Sequence, residues 1–107
     1  MAYKSYIILD TPKVISSGAT AGSEVPVGIQ SANTWRVDVL ISSGDGTALD
    51  VQTWTGIEWL TIGSLALGNA NTYSLTSGDV AQPLGSKVRV RATGTVTVER
   101  VSITLDR

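Results

Sequence analysis

Asp38, Asp50 and Glu58 fall on the polar positions of neighbouring candidate strands. Paired carboxylates hydrolyse glycosides, one as acid and the other as nucleophile or base. Arg36, Arg89 and Arg91 share similar faces, so the same residues also read as cross-strand ion pairs on a solvated sheet, contributing roughly 0.2–1 kcal/mol each. The chain has no His and no Cys. Serine and cysteine triads are thereby excluded, as are thiolate metal sites and disulfide scaffolds. A Ser–Lys arrangement is chemically open, but Lys4, Lys13 and Lys87 stand in no motif that would build one. Only oxygen ligands remain for a metal, which means calcium. Asp45, Asp50 and Asp79 lie in or near loops, yet the run from Asp45 to Asp50 lacks the dense carboxylate spacing of a dedicated calcium loop. No glycine-rich loop follows a strand and opens a helix, so nothing points to nucleotide binding. The expectation is a protein without catalytic residues, cofactor or metal.

Binding chemistry is better represented. Lys87, Arg89 and Arg91 alternate along one candidate strand and form a basic stripe. Such a stripe suits an acidic partner surface, an acidic or sulfated glycan, or a neighbouring subunit; balanced by Asp38 and Asp50, it is an ordinary solvated face. Trp54 and Trp59 lie at opposite ends of a hairpin signal, Thr55-Gly56. Large aromatics on a β-sandwich stack on sugar rings, and they also fill a core that lacks Phe. By parity Trp59 goes with Ile57, whereas Trp54 goes with Asp50 and Gln52, so Trp54 is the better candidate for exposure. Trp54 and Tyr73, with the loop acid Asp45, are the candidate sugar contacts.

The elements that position these residues are strands. From Ser86 to Leu105 apolar and polar residues alternate almost without a break, the mark of half-buried β-strands. Candidate strands cover residues 3–9, 13–15, 24–29, 34–41, 48–54, 58–62, 72–75, 87–92 and 95–105. Turn signals separate them, and no amphipathic helix is visible. The pattern predicts one all-β domain over residues 1–107, an antiparallel two-sheet sandwich, jelly-roll-like, of about eight strands. Gly63 and Gly68 read as turn glycines, and Thr93-Gly94 as a hairpin joining the last two strands. In the final segment Val96 and Val98 share one parity, while Val101, Ile103 and Leu105 share the opposite one. A β-bulge at Glu99-Arg100 would return both sets to one core.

Residues 1–22 differ in character. The stretch 16–23 is small and polar, which predicts a long flexible surface loop after a first strand. The alternative is an extended N-terminal arm, residues 3–9, that adds as a strand to a neighbouring subunit. Eight basic and nine acidic side chains give a net charge of −1, unsuited to neutralising a nucleic-acid backbone. The apolar run after Lys4, residues 6–9, is shorter than a signal-peptide core and far shorter than a membrane span. If the native chain starts at Met1, it is made in a cytoplasm and not exported by the standard route.

The strands around Trp35-Arg36-Val37-Asp38-Val39, Asp50-Val51-Gln52-Thr53-Trp54, Lys87-Val88-Arg89-Val90-Arg91 and the last long segment resemble the small jelly-roll sandwiches of tailed-phage virion proteins. These include capsid decoration (cement) proteins and related modules of fibres and tails. In outline the chain is also similar to galactose-binding-like domains. The resemblance covers roughly residues 34–107 and lies in strand order and texture. It implies a virion role at the capsid surface after synthesis in the host cytoplasm. The implied partners are the major capsid protein and further copies of the chain in a homotrimer. Expected contacts under that reading are residues 1–30, with Tyr3, Tyr6 and Ile8, and then the Lys87, Arg89 and Arg91 face. The alternative is a carbohydrate- or receptor-binding module of a phage tail or fibre.

Overall fold

Alternation along the chain becomes nine strands and, among the described residues, no helix. The structure, a computed structural model, describes residues 3–9, 12–24, 34–68, 71–76 and 85–106. In chain order the strands are β1 (Tyr3–Leu9), β2 (Lys13–Ile15), β3 (Thr20–Glu24), β4 (Thr34–Gly44), β5 (Ala48–Trp54), β6 (Trp59–Ala66), β7 (Thr72–Thr76), β8 (Lys87–Thr93) and β9 (Val96–Asp106). One sheet has the order β1-β9-β4-β7, with β2 also on β9; the other has the order β3-β8-β5-β6. Every pairing is antiparallel. β1 and β2 lie end to end along β9 and occupy one edge position. Apart from the β1–β2 step along that edge, the chain changes sheet at every connection except the β5–β6 hairpin, which makes the two-sheet order of a jelly roll.

The expected inward sets form the core between the sheets. Val37, Val39, Val101 and Ile103 from one sheet meet Leu49, Val51, Val88 and Val90 from the other, all at 0% exposure. β-branched side chains suit this layer because they pack on a pleated surface with little rotamer freedom to lose. Trp35 supplies the largest buried ring, at 4% exposure. Gly63 marks no turn: β6 runs through it, and the missing side chain makes room for Leu75 of the facing sheet, whose methyls lie 2.8 Å from where a Cβ would stand.

The irregularity expected at Glu99-Arg100 is present. Leu40 faces Arg100 and Ile41 faces Val98, so Glu99 is an extra residue in β9. Val96, Val98, Val101 and Ile103 consequently all reach the same core. Ser42 is an extra residue in β4 and restores the register beyond it. Ile8 in β1 and Ile62 in β6 are further extra residues, and both are buried.

Two expectations are corrected, one strand falls mostly outside the described residues, and the first strand stands as expected. The stretch 16–23 is no free loop, because Thr20–Glu24 forms an edge strand on β8. Gly18 N–H donates to the Ala92 carbonyl at 2.8 Å, and Ala92 N–H donates to the Ala19 carbonyl at 3.1 Å, which starts that pairing. The strand expected at 24–29 is represented by Glu24 at the end of β3; residues 25–29 lie outside the described residues. Residues 3–9 form the expected first strand, paired with β9 at the edge of their own sheet. Finally, Thr93-Gly94 is no hairpin, since β8 and β9 belong to different sheets. That crossing packs against the β4–β5 crossing: Asp45 N–H donates to the Thr95 carbonyl at 2.9 Å and Thr47 N–H to the Thr93 carbonyl at 2.9 Å.

Deleting Glu99 should turn either Val96 and Val98 or Val101 and Ile103 out of the core, a loss of roughly 3–6 kcal/mol for two aliphatic side chains. Urea unfolding of the deletion variant checks this. An unchanged midpoint would mean that the bulge is dispensable.

Candidate functional site

The site begins at the β5–β6 loop. A two-residue turn at Thr55-Gly56 would pair Trp54 with Ile57, but the structure pairs Trp54 with Trp59 around a four-residue loop. Thr55 sets that length. Its N–H donates to the Glu58 carbonyl at 2.9 Å, and its Oγ1 accepts the N–H groups of Ile57 at 3.3 Å and Glu58 at 3.1 Å. Such local side-chain bonds favour turns over strands. Gly56 takes the positive φ of 102° that the loop requires. Ile57 is left 87% exposed.

Residues directly opposite in an antiparallel pair point to the same face. Trp59 therefore joins Trp54 on the outer face of the β3-β8-β5-β6 sheet, correcting its expected grouping with Ile57. The rings meet edge to face, with centroids 5.5 Å apart and planes at 61°. Both indoles are half-buried, so neither is a core residue.

The next row adds polar groups. Thr61 on β6, Gln52 on β5, Arg89 on β8 and Gly22 on β3 lie in register. Gln52 Nε2 donates to Thr61 Oγ1 at 3.0 Å, and Gln52 Oε1 accepts from Arg89 Nε at 2.7 Å. Arg89 Cζ stands 4.0 Å over the Trp59 ring, and Lys87 Nζ lies 5.8 Å from the centre of the Trp54 ring. Both are cation–π contacts. Gln52, 8% exposed, lies beneath this cluster and holds its parts together. Burial first, and then the charge of Arg91, lower the Arg89 pKa from its ordinary value. Arginine nevertheless stays charged.

The expected ion pairs of this face do not form. Among the described side chains no carboxylate pairs with Lys87, Arg89 or Arg91; Glu24 faces Lys87 in register from β3, and its side chain lies outside the described set. Asp50 faces Arg91 in register but accepts a hydrogen bond from Ser64 Oγ, and Arg91 Nε donates to the Gly18 carbonyl at 3.3 Å. Asp38 belongs to the other sheet, where it pairs with Arg36 at 2.8 Å and accepts from Ser74. Asp38 and Asp50 thus lie on different sheets with Glu58 in the hairpin loop, so no carboxylate pair is assembled. Among the described residues no group of three or more acidic side chains is placed to hold a metal. Asp45 accepts the Thr95 N–H at 3.0 Å and serves the crossing of the chain between sheets. Asp79 lies outside the described residues.

Other candidates are dispersed. Tyr73 sits opposite Val39 on β7, packs against the core, and accepts the Gly68 N–H on its hydroxyl at 2.7 Å, so it does not join Trp54. Tyr6 also packs against the core, and Ile8 is 6% exposed within it. Tyr3 opens β1, and its side chain lies outside the described set. Sequence reasoning placed Gln52 with Trp54 but missed Trp59 and Thr61 as members of the outer face. The available signal was the hairpin itself, because with a loop of either two or four residues after Trp54 the cross-strand pairing puts Trp59 and Thr61 on the face of Trp54 and Gln52.

No family model, curated protein or solved structure matches this chain.

Thr53 holds the platform from below. It is 2% exposed, and its Oγ1 donates to the Lys87 carbonyl at 3.0 Å and accepts the Gly85 N–H at 2.7 Å. Thr53→Val keeps the shape and strands both partners, at a cost of about 1–3 kcal/mol. Urea denaturation should show the midpoint falling accordingly. A neutral substitution would mean that water or a shifted backbone replaces the hydroxyl.

Proposed function

We propose that this chain is a non-enzymatic virion protein, a phage capsid decoration protein that binds the outer capsid surface and stabilises joints between capsomers. Its partners in this reading are the major capsid protein and its own copies in a homotrimer. Burial of surface across each joint adds binding free energy that opposes internal pressure, and many copies acting together make modest affinity per contact sufficient.

One observation carries the reading. The β1–β2 edge holds Ile7 at 52% and Val14 at 67% exposure, on a sheet whose neighbouring outward positions are Ser102 and Thr97. Among the described residues no strand pairs with the far side of this edge. An unpaired strand edge is a template for association, and large aliphatic side chains beside it favour being covered. Fold alone does not assign a function, so the edge is the argument.

The native chain should sediment as a trimer and co-sediment with capsids that lack it. Ile7→Asp combined with Val14→Asp should yield a folded monomer that no longer binds. Truncating residues 1–22 is a poorer test, because Ile8, Ile15 and Ala21 are core residues. A native chain that stays monomeric at high concentration and ignores capsids would overturn the reading.

A further inference from the structure

We propose that Arg89 is the anion-receiving group of a site for an acidic, carboxylate-bearing polysaccharide on the outer face of the β3-β8-β5-β6 sheet. The proposal goes beyond capsid docking and does not depend on it. The guanidinium is fixed on two sides. Its Nε is bonded to Gln52, itself held by Thr61, and its Cζ lies over the Trp59 ring, 4.0 Å from the centre. Its two Nη groups bond no described residue. A guanidinium fork matches a carboxylate with two parallel N–H···O bonds. Holding the fork in place beforehand reduces the ordering cost of binding.

The surroundings keep that fork open. Gly22 faces Arg89 from β3 and carries no side chain. A Cβ there would stand 2.5 Å from Arg89 Cα, so a glycine is required. Lys87 and Arg91 lie two residues away on either side, roughly 6.6–6.8 Å along the strand. Their row of positive charge suits a polymer with repeated carboxylates. Half-buried charge of this kind is costly, and an arriving anion relieves it.

The remaining groups select the class of polymer. Half-buried Trp54 and Trp59 offer apolar ring surface to sugar C–H groups, and Gln52 and Thr61 place an amide and a hydroxyl beside them. Sites for small polar rings combine aromatic walls with a few fixed polar groups. A nucleic acid fits poorly, because the chain as a whole carries a net charge of −1 and would be repelled by a long phosphate backbone. A protein partner would call for an apolar anchor pocket at the centre of the face, where Gln52 and Thr61 stand instead.

The test is tryptophan fluorescence of the full chain titrated with oligogalacturonate. Neutral oligoglucose and poly-L-glutamate serve as comparison probes. We expect a saturable, salt-sensitive change with oligogalacturonate and none with oligoglucose. Arg89→Lys keeps the charge and removes the fork, and it should weaken binding at least about tenfold, as should Arg89→Gln. Unfolding midpoints of both variants identify any loss of fold, and Arg89→Lys suffices if Arg89→Gln does not fold. Native-like binding by folded Arg89→Lys would overturn the role of the fork. Equal affinity for poly-L-glutamate would reassign the site to acidic polypeptide. No binding to any probe would overturn the proposal while leaving the capsid reading untouched.

Discussion

Everything in the first sheet depends on one constraint, that both halves of β9 must face the same core. Side chains alternate along a strand, so a straight β9 would bury either Val96 and Val98 or Val101 and Ile103, but not both. Glu99 resolves the conflict as an extra residue. Its consequences spread to the neighbours. β4 answers with Ser42, and the edge beyond is divided, with β1 along one half of β9 and β2 along the other. Each aliphatic side chain kept inside contributes about 1.5–3 kcal/mol. A strand with three partners and a bulge is therefore more favourable than a regular one with half its apolar residues in water.

The two outer faces then take opposite characters. On the first sheet Arg36, Asp38 and Ser74 satisfy one another within a few ångströms, and what is left exposed is aliphatic, Ile7 and Val14 at the edge. On the second sheet the cations of β8 find aromatic rings, an amide and a backbone carbonyl among the described groups. Rings and amides orient a guanidinium without neutralising it. The polar groups of the first arrangement are paired with one another, and the second is a charged surface with defined geometry.

Much of this was legible from residues alone. The inward sets of β4, β5 and β8 follow from period-two alternation, and the bulge at Glu99-Arg100 follows from two apolar sets of opposite parity in one strand. β3 was not legible. Its residues, Thr20 to Glu24, show no alternation, and they form a strand because the edge of β8 pairs with a backbone that can come close at Gly22. The side taken by Trp59 was hidden for another reason. It depends on the hairpin pairing and not on parity counted straight along the chain, because residues opposite each other across the hairpin share a face.

By itself the sequence determined the all-β class, the two-sheet packing, the inward faces of most strands, the need for a bulge, and the absence of His and Cys chemistry. Those properties are local, since they depend on residue type and on spacing of two along the chain. Only the tertiary structure decided that Arg89 stacks on Trp59 and bonds Gln52, a residue 37 positions away. It also decided that Asp38 lies on the far sheet from the basic row, and that Ile7 and Val14 are left at an edge. These depend on which strands become neighbours, which is settled by burying the core as a whole and leaves no mark in any one segment.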